Sequence, residues 1–352
     1  MGAQSSIPIA EAGLQGNTAR FLLPLLATYG WIVVTMARVP WVDFIHVFML
    51  FVSTAATMAA LVYVIGQGTV RLRGSGPLLC WETARWVMLG AVSLAILLPS
   101  FGAFKQLLLP IRGFPLDPLL AGMGRVALGG MSPWEVTHAL FGSLWATMAL
   151  DRIYTFWSLA FMAFPMMLPF VSRDETRRAQ MLIAWVLAWM LIGTLAAWVF
   201  ASAGPCYYND LIGPDPGYAA LSARLQTLAE QARAVGGELT NVEFQSALLG
   251  AYRSGHYAPA GGISAMPSMH VTMATLIALA GFARSRPLGH VLSAYGVIIW
   301  IASIHLGWHY AVDGPVAVLM MLSVWRLSGR VARALARDLP ASGPQPDAAL
   351  VA

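Results

Sequence analysis

Three ionisable side chains lie in two short segments near the C-terminal end of an otherwise apolar sequence. His270 follows Pro267 and Ser268, and His309 precedes Asp313 by four residues. A carboxylate bonded to one ring nitrogen fixes the imidazole tautomer and leaves the other nitrogen free as a nucleophile or acceptor. A second histidine can give a proton to a departing oxygen. These types and spacings predict His309 as a nucleophile, Asp313 as its orienting partner and His270 as an acid.

The segment before His270 favours a phosphoryl group as the target of this chemistry. Pro267 and Ser268 are typical of a helix start, where free N–H groups and the helix dipole bind anions. A neutral His309 can attack phosphorus in line and form a phosphohistidine, with Ser268 beside the phosphate. Water or another alcohol would then discharge the intermediate.

Two other interpretations of these histidines remain open. A lone histidine in a membrane helix is commonly a hydrogen-bonded core residue, and we favour that interpretation for His305. His305 and His309 are also four residues apart, as metal ligands on a helix can be. No glutamate follows His305 as in the zinc-protease helix, and no third ligand is evident. We therefore expect no metal and no cofactor.

The composition indicates a membrane protein. Hydrophobic residues make up 58% of the 352 residues and charged residues 11%, against about 25% charged residues in soluble domains. A chain of this length cannot hide so much apolar surface from water, so lipid must be its solvent. The net charge of +5 then concerns orientation in the bilayer, and we expect no nucleic-acid partner.

Apolar segments define an all-α, polytopic transmembrane helical bundle of about eight spans. No small-residue cleavage site follows the first segment, so we expect it to remain as a helix. The predicted spans cover residues 21–37, 44–66, 85–102, 153–171, 180–202, 268–283, 289–306 and 311–327.

Arginines predict the orientation of these spans. With eight spans, the arginines that flank alternate connections all fall on one side, which is the cytoplasm by the positive-inside rule. They are Arg20, Arg71, Arg73, Arg85, Arg173, Arg177, Arg178, Arg284, Arg286, Arg326, Arg330, Arg333 and Arg337. Both termini are then cytoplasmic and the histidines lie at the opposite face. The alanine- and arginine-rich composition favours a bacterial inner membrane, with the histidines on the periplasmic side.

The predicted outer regions carry amphipathic helices. A helix over about 134–149 begins at Pro133 and suits the membrane surface. Residues 221–235 place apolar side chains at spacings of three and four, which predicts a helix that packs on the bundle or moves as a lid. The predicted divisions are 1–102 for the N-terminal spans, 103–328 for the domain with the histidines and the outer loop 203–267, and 329–352 for a tail, disordered from about 339.

The histidine segments resemble a known family. Residues 265–270 read AMPSMH and residues 308–313 read WHYAVD, similar to the second and third motifs of the type 2 phosphatidic acid phosphatase superfamily. The spelling looks like the branch that contains inositol phosphorylceramide synthases and bacterial relatives. The resemblance spans about residues 100–328 and includes Phe104-Lys105, Pro133-Trp134, Asp151-Arg152-Ile153-Tyr154, Gly204-Pro205 and Tyr252-Arg253-Ser254-Gly255.

The resemblance implies a helical bundle with the site at its outer end and the roles given above for His270, His309 and Asp313. It implies a lipid phosphate substrate in the bilayer and water or a lipid alcohol as acceptor. A multi-pass transporter and a non-catalytic membrane protein that retains the motifs are the alternatives.

The sequence departs from the family in its basic residues. Ala302 and Ser303 replace the serine and arginine that usually precede the third-motif histidine. Lys105 and Arg112 have the first-motif separation, but Gly113 replaces its proline. They either bind phosphate or form an interfacial pair near lipid headgroups. Arg253 and Arg125 are further candidates for the missing arginine.

Overall fold

The computed structural model describes residues 13–72, 80–255, 257, 259 and 261–338. The chain is 83% helical, without strands in these described ranges. The principal helices are α1 Leu14–Ala37, α2 Trp41–Leu72, α3 Trp81–Arg112, α4 Asp117–Ala127, α5 Pro133–Phe141, α6 Leu144–Val171, α7 Glu175–Val199, α8 Pro216–Ala234, α9 Thr240–Ser254, α10 Met269–Arg284, α11 Arg286–His305 and α12 Asp313–Arg337.

The predicted polytopic bundle is confirmed. Within the described residues, seven helices are long and apolar enough to span a membrane, namely α1, α2, α3, α6, α7, α11 and α12, and α10 is a shorter apolar helix. The most apolar window of α3 is 67% buried and that of α7 is 61% buried, against 6% for α2. The core therefore surrounds α3 and α7, while α2 presents its apolar side chains to lipid. The chain is an integral membrane protein.

Helices α10 and α11 form a tight antiparallel hairpin. Ser285 ends α10 and caps α11, because its hydroxyl accepts a hydrogen bond from the Leu288 N–H at 3.4 Å. The helices approach closely at two glycines: a Cβ on Gly281 would lie 3.3 Å from the Cα of Gly289. This hairpin brings the start of α10 and the end of α11, which carry the two histidine segments, to the same end of the bundle.

The shorter helices α4, α5, α8 and α9 cover that end of the bundle, which we call the site face. The single helix predicted over 134–149 is wrong, because the structure has two helices here: α5 ends at Phe141 and α6 begins at Leu144. Ser143 then caps α6 by accepting from the Ala146 N–H at 3.3 Å. The fourth span accordingly begins at Leu144, not at residue 153.

The amphipathic helix predicted in the outer loop is present as α8. Leu221, Leu225, Leu228 and Ala232 are buried, whereas Val235 lies beyond the helix and is 53% exposed. The apolar face of α8 thus packs on the rest of the protein, as the packing interpretation expects.

The other end of the bundle carries the predicted arginines. Arg178 forms an ion pair with Glu82 at 2.7 Å, joining α7 to α3. The Arg85 side chain donates to the Gln15 amide oxygen at 3.2 Å, joining α3 to α1. Arg73 and the predicted disordered tail from 339 lie outside the described residues.

Candidate active site

His309 lies in a tight turn between α11 and α12. The predicted spans 289–306 and 311–327 leave this turn between them. Helix α11 ends at His305, and Gly307 has a φ of +75°. This left-handed conformation favours glycine and ends the helix. Two carbonyls of the turn accept hydrogen bonds from distant segments: the Cys206 N–H donates to the Gly307 carbonyl at 2.8 Å, and the Gln245 amide donates to the Leu306 carbonyl at 2.7 Å.

Asp313 is the first residue of α12, and its carboxylate lies beside Nδ1 of His309. One carboxylate oxygen, Oδ2, lies 3.3 Å from His309 Nδ1 and accepts from the Tyr310 N–H at 3.0 Å. Asp313 is fully buried and His309 is 5% exposed. A carboxylate at Nδ1 favours the tautomer with a proton on that nitrogen, which leaves Nε2 as an acceptor.

His270 is in the first turn of α10. Ser268 caps this helix, because its hydroxyl accepts from the Val271 N–H at 3.4 Å. Ser268 is fully buried, so it shapes the helix start that the sequence predicts. The ring centroids of His270 and His309 are 5.7 Å apart, in an edge-to-face arrangement.

Two aromatic side chains of α6 hold the His270 ring. Tyr154 stacks on it at a centroid distance of 4.1 Å and Trp157 at 4.0 Å. Trp157 also donates its indole N–H to the His270 carbonyl at 3.1 Å. Residues three apart share one helix face, so α6 presents both rings to His270.

Both histidines line one cavity of about 420 Å³. Lys105 lines it too, from the π segment Phe104–Leu108 of α3. A second π segment, Ala188–Ala196 of α7, contributes Trp189. Such segments are frequent at functional sites. Most of the remaining lining is apolar or aromatic, so the cavity joins a polar reaction centre to a hydrocarbon-compatible space.

The candidate cations differ in their positions. Lys105 has no hydrogen-bond or ion-pair partner in the described part of the chain and faces the cavity. Arg112 lies exposed at the end of α3, away from the cavity lining. Arg253 pairs with Asp210 at 2.7 Å, and its side chain is 60% exposed. Of these three, the structure brings only Lys105 to the histidines.

Arg125, the remaining candidate, is engaged elsewhere. It forms an ion pair with Asp215 at 2.6 Å. Burial raises the pKa of Asp215, but Arg125 and the amides at the start of α8 outweigh it and lower the pKa overall. The charge of Arg125 is thus used to hold α8.

Asp117 is a residue that sequence reasoning missed. It is fully buried and accepts hydrogen bonds from the Ala203 and Gly204 N–H groups at 2.8 Å and from the Tyr310 hydroxyl at 2.6 Å. Burial raises its pKa, against these three bonds. Asp117 therefore ties α4 and the segment after α7 to the turn that carries His309. An acidic residue between Leu116 and Pro118 in an apolar region was the available signal.

Asp151 was also missed as a structural anchor. Its carboxylate accepts from the Asn241 N–H at 2.9 Å and the Thr240 N–H at 3.1 Å, at the start of α9. Asn241 in turn accepts from the Trp308 indole N–H at 2.9 Å. This chain of contacts connects α6 through α9 to the residue before His309.

In the described ranges, no group of three or more His, Cys, Asp or Glu residues is arranged to hold a metal ion. The sequence model of one protein family, described as the PAP2 superfamily, matches residues 126–327. This range contains both histidines and Asp313 but not Lys105. No curated protein and no solved structure shows significant similarity to the chain.

Proposed function

Because this chain belongs to the PAP2 superfamily, whose membership supports phosphatase or phosphotransferase activity, we propose that it acts on a lipid phosphate through a phosphohistidine on His309. One observation carries the proposal: His309 and His270 line the same cavity among membrane helices, and buried Asp313 lies beside His309.

In the first step, His309 Nε2 attacks phosphorus opposite the lipid oxygen. A P–N bond forms as the P–O bond to the lipid breaks, and protonated His270 gives its proton to the departing oxygen. Asp313 stabilises the positive charge that develops on the His309 ring. The products of this step are a lipid alcohol, neutral His270 and phosphohistidine.

In the second step, neutral His270 accepts a proton from the incoming hydroxyl. The oxygen of water or of a lipid alcohol attacks phosphorus, the P–N bond breaks, and His309 is regenerated. Water yields free phosphate, whereas an alcohol yields a new phosphate ester. The likeness of residues 265–270 and 308–313 to inositol phosphorylceramide synthases supports transfer to a lipid alcohol as the second possibility.

In this proposal, Lys105 binds the phosphate in place of the arginine that is missing from the third motif. Its ammonium has no protein partner in the described residues and shares the cavity with both histidines. The free N–H groups at the start of α10 supply further donors to the phosphoryl oxygens, as helix N-termini do for phosphate. Ser268 contributes by capping this helix.

A lipid substrate is supported by the surroundings of the reaction centre. The cavity is lined by side chains of α2, α3, α6 and α7, such as Phe51, Phe101, Phe161 and Trp189. Hydrocarbon attached to the phosphate would therefore lie against apolar side chains. The arginines at the opposite end of the bundle support a periplasmic position for the site face.

The test is turnover and trapping with purified protein in detergent and a panel of lipid phosphates labelled in the phosphoryl group. We expect label on His309 in the wild type when the reaction is stopped with denaturant at basic pH, because the P–N bond of phosphohistidine hydrolyses in acid, and mass spectrometry under the same conditions should identify the modified residue. The His309→Ala variant should show neither label nor turnover. Turnover in His309→Ala well above background would refute the proposal. Phosphate release without added alcohol would exclude an obligate transferase.

A further inference from the structure

Tyr154 lines the cavity, and the mechanism above leaves its hydroxyl unused. The residue is 2% exposed, and its hydroxyl has no hydrogen-bond partner among the described residues. Leaving a buried hydroxyl unpaired costs about 1–3 kcal/mol. A ligand that brought an acceptor to this hydroxyl would remove that cost.

The hydroxyl groups of two other tyrosines that line the same cavity have hydrogen-bond partners within the protein. The Tyr207 hydroxyl donates to the Gln245 carbonyl at 3.2 Å, and the Tyr257 hydroxyl donates to the Pro99 carbonyl at 2.8 Å. Tyr154 differs from both, because its ring stacks on His270 with the planes 15° apart. Its hydroxyl thus lies at the edge of a ring that overlaps the His270 imidazole.

We propose that the Tyr154 hydroxyl donates a hydrogen bond to the phosphoryl group while that group is transferred between the lipid oxygen and His309. The proposal rests on the proposed function and adds a specific donor to it. Tyr154 stays neutral throughout, so no bond to it forms or breaks. Its donor would complement Lys105 and the α10 amides around the three equatorial oxygens, whose charge dominates the transition state.

The Tyr154→Phe variant tests the hydroxyl without removing the ring that stacks on His270. We expect kcat to fall by about 10- to 100-fold with little change in KM, as for the loss of one transition-state donor. The matched control is Tyr295→Phe. Tyr295 is on α11, its hydroxyl is 3.5 Å from the carbonyl of Ile153, and it does not line the cavity. This control should keep wild-type kcat.

Inhibition by orthovanadate separates a role in transfer from a general loss of structure. Vanadate adopts the five-coordinate geometry of phosphoryl transfer, so its Ki should rise in Tyr154→Phe by about the factor by which kcat falls. The midpoint of thermal unfolding should stay near that of the wild type. A Ki for vanadate equal to that of the wild type would overturn the proposal, whatever the kcat of the variant.

The same experiments keep this proposal distinct from the proposed function. If the wild type shows no turnover and no phosphohistidine, the function itself fails. If the wild type shows both and Tyr154→Phe matches it in kcat and vanadate Ki, only the role of Tyr154 fails.

Discussion

Two histidine pairs in the described part of the chain have opposite surroundings. His270 and His309 meet edge to face at 5.7 Å and line a cavity. His138 and His305 stack at 3.8 Å with their planes 11° apart, and both are buried. Each pair has a histidine from the end of α11 or the turn that follows it, so sequence position alone does not separate them.

In the second pair, three of the four ring nitrogens have hydrogen-bond partners and His305 Nδ1 has none among the described residues. The Arg224 side chain donates to His138 Nδ1 at 2.9 Å, which leaves the proton on Nε2 to donate to the His305 carbonyl at 2.9 Å. The other ring, His305, has Nε2 at 3.0 Å from the Thr147 hydroxyl. This agrees with the interpretation of His305 as a core polar residue. A histidine can act as a reagent only where a ring nitrogen meets open space, and here that holds for His270 and His309.

The largest expected difference between the pairs is in turnover. His309→Gln should lower kcat by about 10³-fold or more, because it removes the nucleophile. His138→Gln should keep most of the activity per folded molecule, because its ring lies outside the cavity. Phosphate release normalised to folded protein by size-exclusion chromatography measures both. Equal losses in the two variants would abolish the distinction between a reactive and a structural pair.

Much of the fold was predictable because its signals are local. An apolar segment of span length and the serine cap at Ser268 are each recognisable from neighbouring residues in the sequence. The helical bundle and the start of α10 could therefore be predicted. The turn at His309 was predictable as the gap between the spans 289–306 and 311–327. The contacts that hold it could not be predicted, because Cys206 and Gln245 come from distant segments of the chain.

The basic residues of the site could not be assigned from the sequence. Lys105 and Arg112 have the spacing of one motif, yet Lys105 lines the cavity from a π segment, whereas Arg112 is exposed at the end of α3. A Cβ on Gly262 would lie 2.8 Å from the Lys105 backbone. Asp117 and Tyr154 likewise gain their roles from partners more than 80 residues away, as in the contacts with Ala203 and His270.

The next largest effect concerns the cation beside the reactive pair. Lys105→Met should lower kcat/KM by about 10- to 100-fold, because one phosphoryl oxygen loses its charged donor. Arg112→Met should change it by less than about threefold, because Arg112 is exposed and outside the cavity. Initial rates on one lipid phosphate, with matched detergent concentration, measure both. A larger loss of kcat/KM in Arg112→Met than in Lys105→Met would mean that Arg112, and not Lys105, binds the phosphate.

A smaller effect is expected from the partner of the structural pair. Thr147→Val keeps the shape of the side chain but leaves His305 Nε2 without its hydroxyl partner. This should destabilise the protein by about 1–3 kcal/mol and lower the midpoint of thermal unfolding in detergent, with kcat per folded molecule unchanged. Thr227→Val, at an exposed position of α8, is the control and should keep the wild-type midpoint. Loss of kcat in Thr147→Val without destabilisation would connect the structural pair to the chemistry.

The smallest expected effect is a pH dependence of stability from His138. Burial lowers the pKa of His138, and the positive charge of Arg224 lowers it further, although the hydrogen bond to the His305 carbonyl opposes this. The folded state therefore holds a neutral ring while the unfolded chain takes up a proton near pH 6.5. Stability should fall as the pH drops from 7 toward 5, by at most about 1.4 kcal/mol per pH unit from this group.

His138→Gln cannot titrate and should lose that part of the slope, whereas His290→Gln, at an exposed position of α11, should keep it. Identical slopes for His138→Gln and the wild type would mean that His138 takes up its proton in the folded protein as it does in the unfolded chain, and Nδ1 could then not accept from Arg224.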